Sequence, residues 1–145
     1  MMPDLGTSPR DEERGKVARI EMSSQEKAIL CAREAIGFKA LDLVLLDVSR
    51  FSSFADYFIV CSGKSSRQVQ GIADNLENNL KNRGFKPIGI EGKREGHWIL
   101  MDYGDVIIHV FYEPVRYFYD LESLWSEAPR VDWEQGPNGS APDKD

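Results

Sequence analysis

Residues 97–111 read HWILMDYGDVIIHVF, and no other stretch constrains the fold as much. Two strand-length apolar runs, 97–102 and 105–111, are separated only by Tyr103-Gly104. A two-residue loop with glycine where the backbone needs positive φ closes antiparallel strands into a hairpin. Alternation then divides the first strand: Trp98, Leu100 and Asp102 point to one face, Ile99 and Met101 to the other. A lone hairpin cannot bury such side chains, so the rest of the chain must supply a sheet and a cover.

The remaining segments supply both. Ser23-Ser24-Gln25-Glu26 has the spacing of a capping box. Ile29, Ala32 and Ile36 follow at helical spacing, with Gly37 as the expected stop. Residues 42–48, DLVLLDV, and 55–62, ADYFIVCS, are short apolar runs with polar borders and read as strands. A second helix opens near Ser65, buries Val69, Ile72, Ala73, Leu76 and Leu80, and ends at Gly84. Residues 85–91 are a third strand, which Pro87 confines to a sheet edge or a late start. Glu113-Pro114 closes the hairpin strand, and 115–125 reads as one or two short helices. The order is α-β-β-α-β-β-β-α, an α/β fold with a five-stranded mixed sheet and helices packed on it. The second strand, its helix and the third strand are expected to form a right-handed parallel unit, and the last three strands an antiparallel meander. The expected domain is 23–126, between a disordered tail of 1–22 and a mostly disordered tail of 127–145.

Composition narrows the function classes. A chain of 145 residues, 41% hydrophobic and 29% charged, supports one core. Nothing in it reaches a membrane-spanning length, and the start MMPDLGTSPRDEERGK has neither a secretory nor a transit pattern. The expected location is the cytoplasm, where Cys31 and Cys61 are buried free thiols. A net charge of −6 with no Lys/Arg cluster argues against DNA as a partner. Acid concentrates in 101–125, where Asp102, Asp105, Glu113, Asp120 and Glu122 accompany one base, Arg116, among Tyr and Phe residues. That mixture suits a protein partner with a basic surface, and it equally suits a solvated acidic rim over a core edge. Trp98 and Leu100 are likewise either an exposed interface pair or the seat of a second helix layer.

Catalytic readings fail on spacing. Gly63-Lys64-Ser65 spells the end of a phosphate-binding loop, but the position that needs the first glycine holds Phe58. Ser65 to Gln68 is a second capping box, which leaves Gly63, Ser65 and Ser66 as a candidate weak anion site at a helix start. A nucleotidyltransferase would carry paired carboxylates on the following strand, where only Glu91 stands. The D-x-E spellings, at Asp11, Asp120 and Asp132, lie elsewhere. His97 and His109 have no third ligand at metal-site spacing. No catalytic, metal or cofactor site is expected.

Three blocks then converge on one family. DYFIVCSG, WILMDYGDVIIHV and FYDLESLW occur in this order, and residues 28–125 resemble the ribosomal silencing factor family, also called Iojap. The resemblance implies a degenerate nucleotidyltransferase-like sheet without enzymatic activity. It implies a translational repressor that binds the large ribosomal subunit through ribosomal protein number fourteen, blocks joining of the small subunit, and lowers translation under nutrient limitation. A homodimer in the free state belongs to the same implication. Carried onto this sequence, Trp98 is the anchor, Leu100 and Tyr103 pack beside it, Asp102 and Asp105 pair with basic residues, and Glu91 is a further contact. Two rival readings stay open: a nucleotidyltransferase-like enzyme or nucleotide binder using the 63–68 loop, and a large-subunit assembly factor.

Overall fold

A computed structural model of the chain describes residues 22–135. The first helix, α1, spans Ser24–Gly37, and both halves of its capping box form: Ser23 Oγ accepts from the Glu26 N–H, and Glu26 accepts from the Ser23 N–H. Its stop differs from expectation. Gly37 is still helical, and the left-handed residue is Lys39, at φ 73°. The Lys39 and Ala40 N–H groups bond back to Ile36 and Ala35 carbonyls, the double return of a Schellman ending. The second helix, α2 (Ser66–Asn82), ends with the same motif at Gly84, and Phe85 folds back as its apolar contact. All five apolar residues expected on its inner stripe are buried.

The strands are β1 (Leu41–Asp47), β2 (Tyr57–Gly63), β3 (Gly89–Glu91), β4 (Trp98–Asp102) and β5 (Val106–Tyr112). They form one mixed sheet in the order β1-β2-β5-β4-β3, with only β2 and β5 paired in parallel. The meander β3-β4-β5 is antiparallel as expected. The expected βαβ unit is corrected in one respect. β3 does run the same way as β2, but β5 and β4 lie between them. A local pattern identifies strands, whereas adjacency depends on which long-range pairs bury most. β3 has shrunk to three residues at the sheet edge, in keeping with Pro87. The register sets Asp102 opposite Ile107, and the Tyr103 N–H donates to the Val106 carbonyl, so the tip of the β4–β5 turn is Gly104-Asp105 and not the expected Tyr103-Gly104. Gly104 takes φ 90° there.

The sheet has two unlike faces. One carries Leu45, Ile59, Cys61, Ile99, Met101, Ile108 and Val110 against α1 and α2, all buried in the main core. The other carries Leu46, Phe58 and Ile107 in a smaller cluster with Leu100 and Trp125. It is partly covered by α3 (Glu113–Tyr119), α4 (Leu121–Leu124) and the chain beyond them. Packing also continues past the expected boundary at 126. Ala128 is buried, Asp47 and Val131 N–H groups bond to Pro129 and Leu45 carbonyls along β1, and Arg33 holds the carbonyls of Trp133 and Glu134. Of the expected tails 1–22 and 127–145, residues 1–21 and 136–145 lie outside the described residues.

Candidate functional site

Pleat alternation sends Trp98, Leu100 and Asp102 to the thinly covered face. Glu91 pairs with Leu100 across the β3–β4 ladder, and cross-strand partners share a face. Four of the six expected contact residues therefore lie together. Trp98 is half-buried. Its ring stacks on Phe111, directly opposite on β5, at 4.8 Å between centroids, and meets Tyr119 of α3 at 5.0 Å. Both arrangements open to the sequence are thus realised in part: a helix layer covers one side of the indole, and the other side lines a groove. That groove has a volume of about 470 Å³ between the 92–98 turn and α3, with His97, Pro114, Val115 and Phe118 in its walls. Phe118 is 80% exposed and Tyr117 76% exposed. Bare aromatic rings of that kind on a short helix are an interface signal rather than a folding one.

Two expected residues are elsewhere. Tyr103 is 4% exposed and packs in the main core with Met101 and Val106. The alternation that separates Trp98 from Ile99 carries Tyr103 with Ile99, so it cannot pack beside the indole. Burial holds its phenol well above the usual range. Asp105 pairs with Lys27 of α1 at 2.7 Å, and the same ammonium donates to the Tyr103 carbonyl. This carboxylate ties the hairpin loop to a helix. Asp102 is engaged within the hairpin as well, accepting the Gly104 N–H at 2.8 Å, which shapes the loop.

The groove rim is stiff. Gln70 donates to the carbonyls of Lys93 and Arg94, and Lys93 pairs with Asp74 and Glu77 of α2. Gly92 takes φ 86°, and a Cβ there would overlap the Trp98 carbonyl. The opposite wall is fixed by Arg116, which is 7% exposed. Its guanidinium donates twice to Glu122, at 3.2 and 2.9 Å, and once to Ser62 of β2 at 2.7 Å. Such a fork holds α3 and α4 on the sheet in a single geometry. In the sequence Arg116 reads only as the one base of an acidic segment. The clue available was a charged residue inside the apolar, aromatic run 115–119.

The 63–68 loop serves α2. Ser65 Oγ accepts the Gln68 N–H, while Gln68 Oε1 accepts from Lys64, one residue earlier than a capping box requires. A Cβ at Gly63 would stand 3.0 Å from Val69 Cγ2, so the glycine allows strand and helix to meet closely. His97 and His109 have separate neighbours: His97 lies near Tyr112, and His109 near Phe58 and Trp98. Cys31 and Cys61 are buried thiols pushed up to about 12 by that burial, which leaves little thiolate for nucleophilic work. What this geometry offers chemically is a rigid, acid-edged aromatic surface.

A sequence profile described as "Ribosomal silencing factor during starvation" matches residues 21–145. The chain is 39% identical over 113 residues to "Ribosomal silencing factor RsfS" of Halalkalibacterium halodurans, covering 78% of this chain and 97% of that one. It superposes on the crystal structure of a Chromobacterium violaceum protein with a TM-score of 0.70 and 38% identity, over 72% of this chain and 88% of that chain. A more distant relative is the mouse protein "Mitochondrial assembly of ribosomal large subunit protein 1", 32% identical over 60% of this chain and 40% of that one.

Proposed function

The chain belongs to the ribosomal silencing factor family, and from that premise we propose that it represses translation by docking on the large ribosomal subunit. The contact is ribosomal protein number fourteen, on the face that meets the small subunit, and the docked body excludes the small subunit sterically. It acts in the cytoplasm under nutrient limitation, free as a homodimer, and turns over no substrate.

The observation that carries this reading is the half-open Trp98 indole on a face left only partly covered, beside the exposed rings of α3. Folding alone does not explain large apolar side chains held rigidly at the surface. Glu95 in the groove wall and Glu91 opposite Leu100 suit a cationic partner. Trp98 is the anchor of this contact, Leu100 extends its apolar floor, and Asp102 and Glu91 lie at its edge.

Purified chain mixed with large subunits should pellet with them and not with small subunits. In the same buffer it should reduce the yield of joined ribosomes in proportion to its occupancy. Failure to pellet would end the proposal. The mouse relative's name favours a second reading, assembly of the large subunit, through the same contact. Joined ribosomes unaffected at full occupancy, with precursor particles accumulating when the protein is removed from cells, would favour that second role.

A further inference from the structure

His109 is the one buried histidine, 4% exposed, near the centre of the thinly covered face. It lies two residues before Phe111 on β5, so it is the diagonal neighbour of Trp98 across the antiparallel pair. The Trp98 indole N–H donates to its Nδ1 at 3.1 Å. An indole nitrogen can only donate. Nδ1 must therefore be the bare, accepting nitrogen, and the ring proton sits on Nε2. That Nε2–H is buried and has no partner among the described residues. Phe58 presses on the imidazole at 5.0 Å, and Trp125 of the C-terminal cover presses on Phe58 at 5.0 Å.

This is a poor arrangement for stability alone. A buried donor without an acceptor weakens the fold; a leucine would remove the stranded Nε2–H, at the expense of the acceptor for the half-buried Trp98 indole N–H. What leucine cannot do is accept a hydrogen bond. Stacking on Phe111 and the tilted contact with Tyr119 hold the plane of the Trp98 ring but not which edge turns inward. The hydrogen bond makes that choice: the N–H edge points to the sheet, and the carbon edge is left for the groove.

We propose that His109 is a positioning residue for docking, one that fixes the rotamer in which Trp98 meets its partner. It touches no partner atom itself, since it is sealed beneath the aromatic cluster. The inference rests on the reading of Trp98 as docking anchor given above. Burial holds the imidazole neutral, lowering its pKa to about 4, so the acceptor is intact at neutral pH.

The test uses the full chain with His109→Leu, His109→Asn, Trp98→Phe and the His109→Leu/Trp98→Phe double variant. Asn places an amide oxygen near the position of Nδ1. Three quantities are read: affinity for purified large subunits, thermal midpoint, and the proton–nitrogen resonance of the Trp98 indole. His109→Leu should keep or raise the midpoint, move the indole resonance upfield, and weaken binding roughly fivefold, the worth of one neutral hydrogen bond. His109→Asn should restore much of the resonance and of the affinity. The double variant should bind no worse than Trp98→Phe. If His109→Leu binds like wild type while Trp98→Phe does not, positioning is wrong and the docking anchor stands. If Trp98→Phe also binds like wild type, the anchor falls too. A lowered midpoint in His109→Leu, with binding not recovered by Asn, would show a merely structural residue. Should no variant fold, a wild-type indole resonance at the solvent-exposed value overturns the proposal by itself.

Discussion

The two faces of one sheet are built to different rules. The face under α1 and α2 is a continuous apolar layer: Ile59, Ile99, Met101, Ile108 and Val110 are fully buried against Leu76 and Leu80. The other face is aromatic, only partly covered, and held by polar fixtures: the Arg116 fork to Glu122 and Ser62, and the Trp98–His109 hydrogen bond. Close packing maximises burial and asks only for volume and shape. A docking face must keep apolar rings near water without collapse, and directional bonds do that. If the thinly covered face is the docking surface proposed above, stability and recognition are separable in this molecule, and substitutions on one face should leave the property of the other unchanged.

The largest effect belongs to the packed face. Leu76→Ala should cost about 3 kcal/mol of unfolding free energy in denaturant titrations. The folded fraction should still bind large subunits with wild-type affinity. A loss of affinity among folded molecules would mean the faces are coupled.

Acid should act on the other face. The His109 imidazole takes its proton near pH 4 in the folded protein and near 6.5 when unfolded. Between those values the unfolded chain holds the extra proton, so stability is full above about pH 6.5 and falls as pH drops toward 4. The contribution is about 3 kcal/mol. Stability measured across that window should flatten by about this much in His109→Leu, and an unchanged slope would remove His109 as its source.

Trp98→Ala should weaken large-subunit binding by about 2 kcal/mol, near thirtyfold. Its effect on the thermal midpoint should be smaller than that of Leu76→Ala. Smallest is Lys39→Gly. It relieves a side chain in the left-handed region and should add about 1 kcal/mol of stability, with binding untouched.

Much of the packed face was legible in the sequence. Capping at Ser23, the stripe from Val69 to Leu80 and the alternation about Ile99 are all local signals, and the structure places them as expected. What escaped depends on distant pairing. No local pattern puts β5 beside β2 or lays residues 128–131 along β1. Lys39 as the left-handed residue escaped because Gly37, two positions earlier, offered the usual chemistry. For the candidate surface, the grouping of Trp98, Leu100 and Asp102 follows from strand period, whereas Glu91 joins them through the β3–β4 register, a long-range pairing with no local signal. Tyr103 is the exception: the family likeness sets it beside the indole, while the same strand period carries it with Ile99 and Met101 into the main core. The groove was invisible because Phe118 and Tyr119 form its wall only after Arg116 pins α3 to the sheet, a tertiary event with no spacing of its own.

The most direct measurement places a photo-crosslinking phenylalanine analogue at Phe118, beside the groove, and another at Lys81 on the exposed side of α2. Each protein is bound to purified large subunits, irradiated, and the attached component identified. The account predicts attachment from position 118 to ribosomal protein number fourteen and little attachment from position 81. Attachment from position 81 with none from 118, or from 118 to another component, would contradict it.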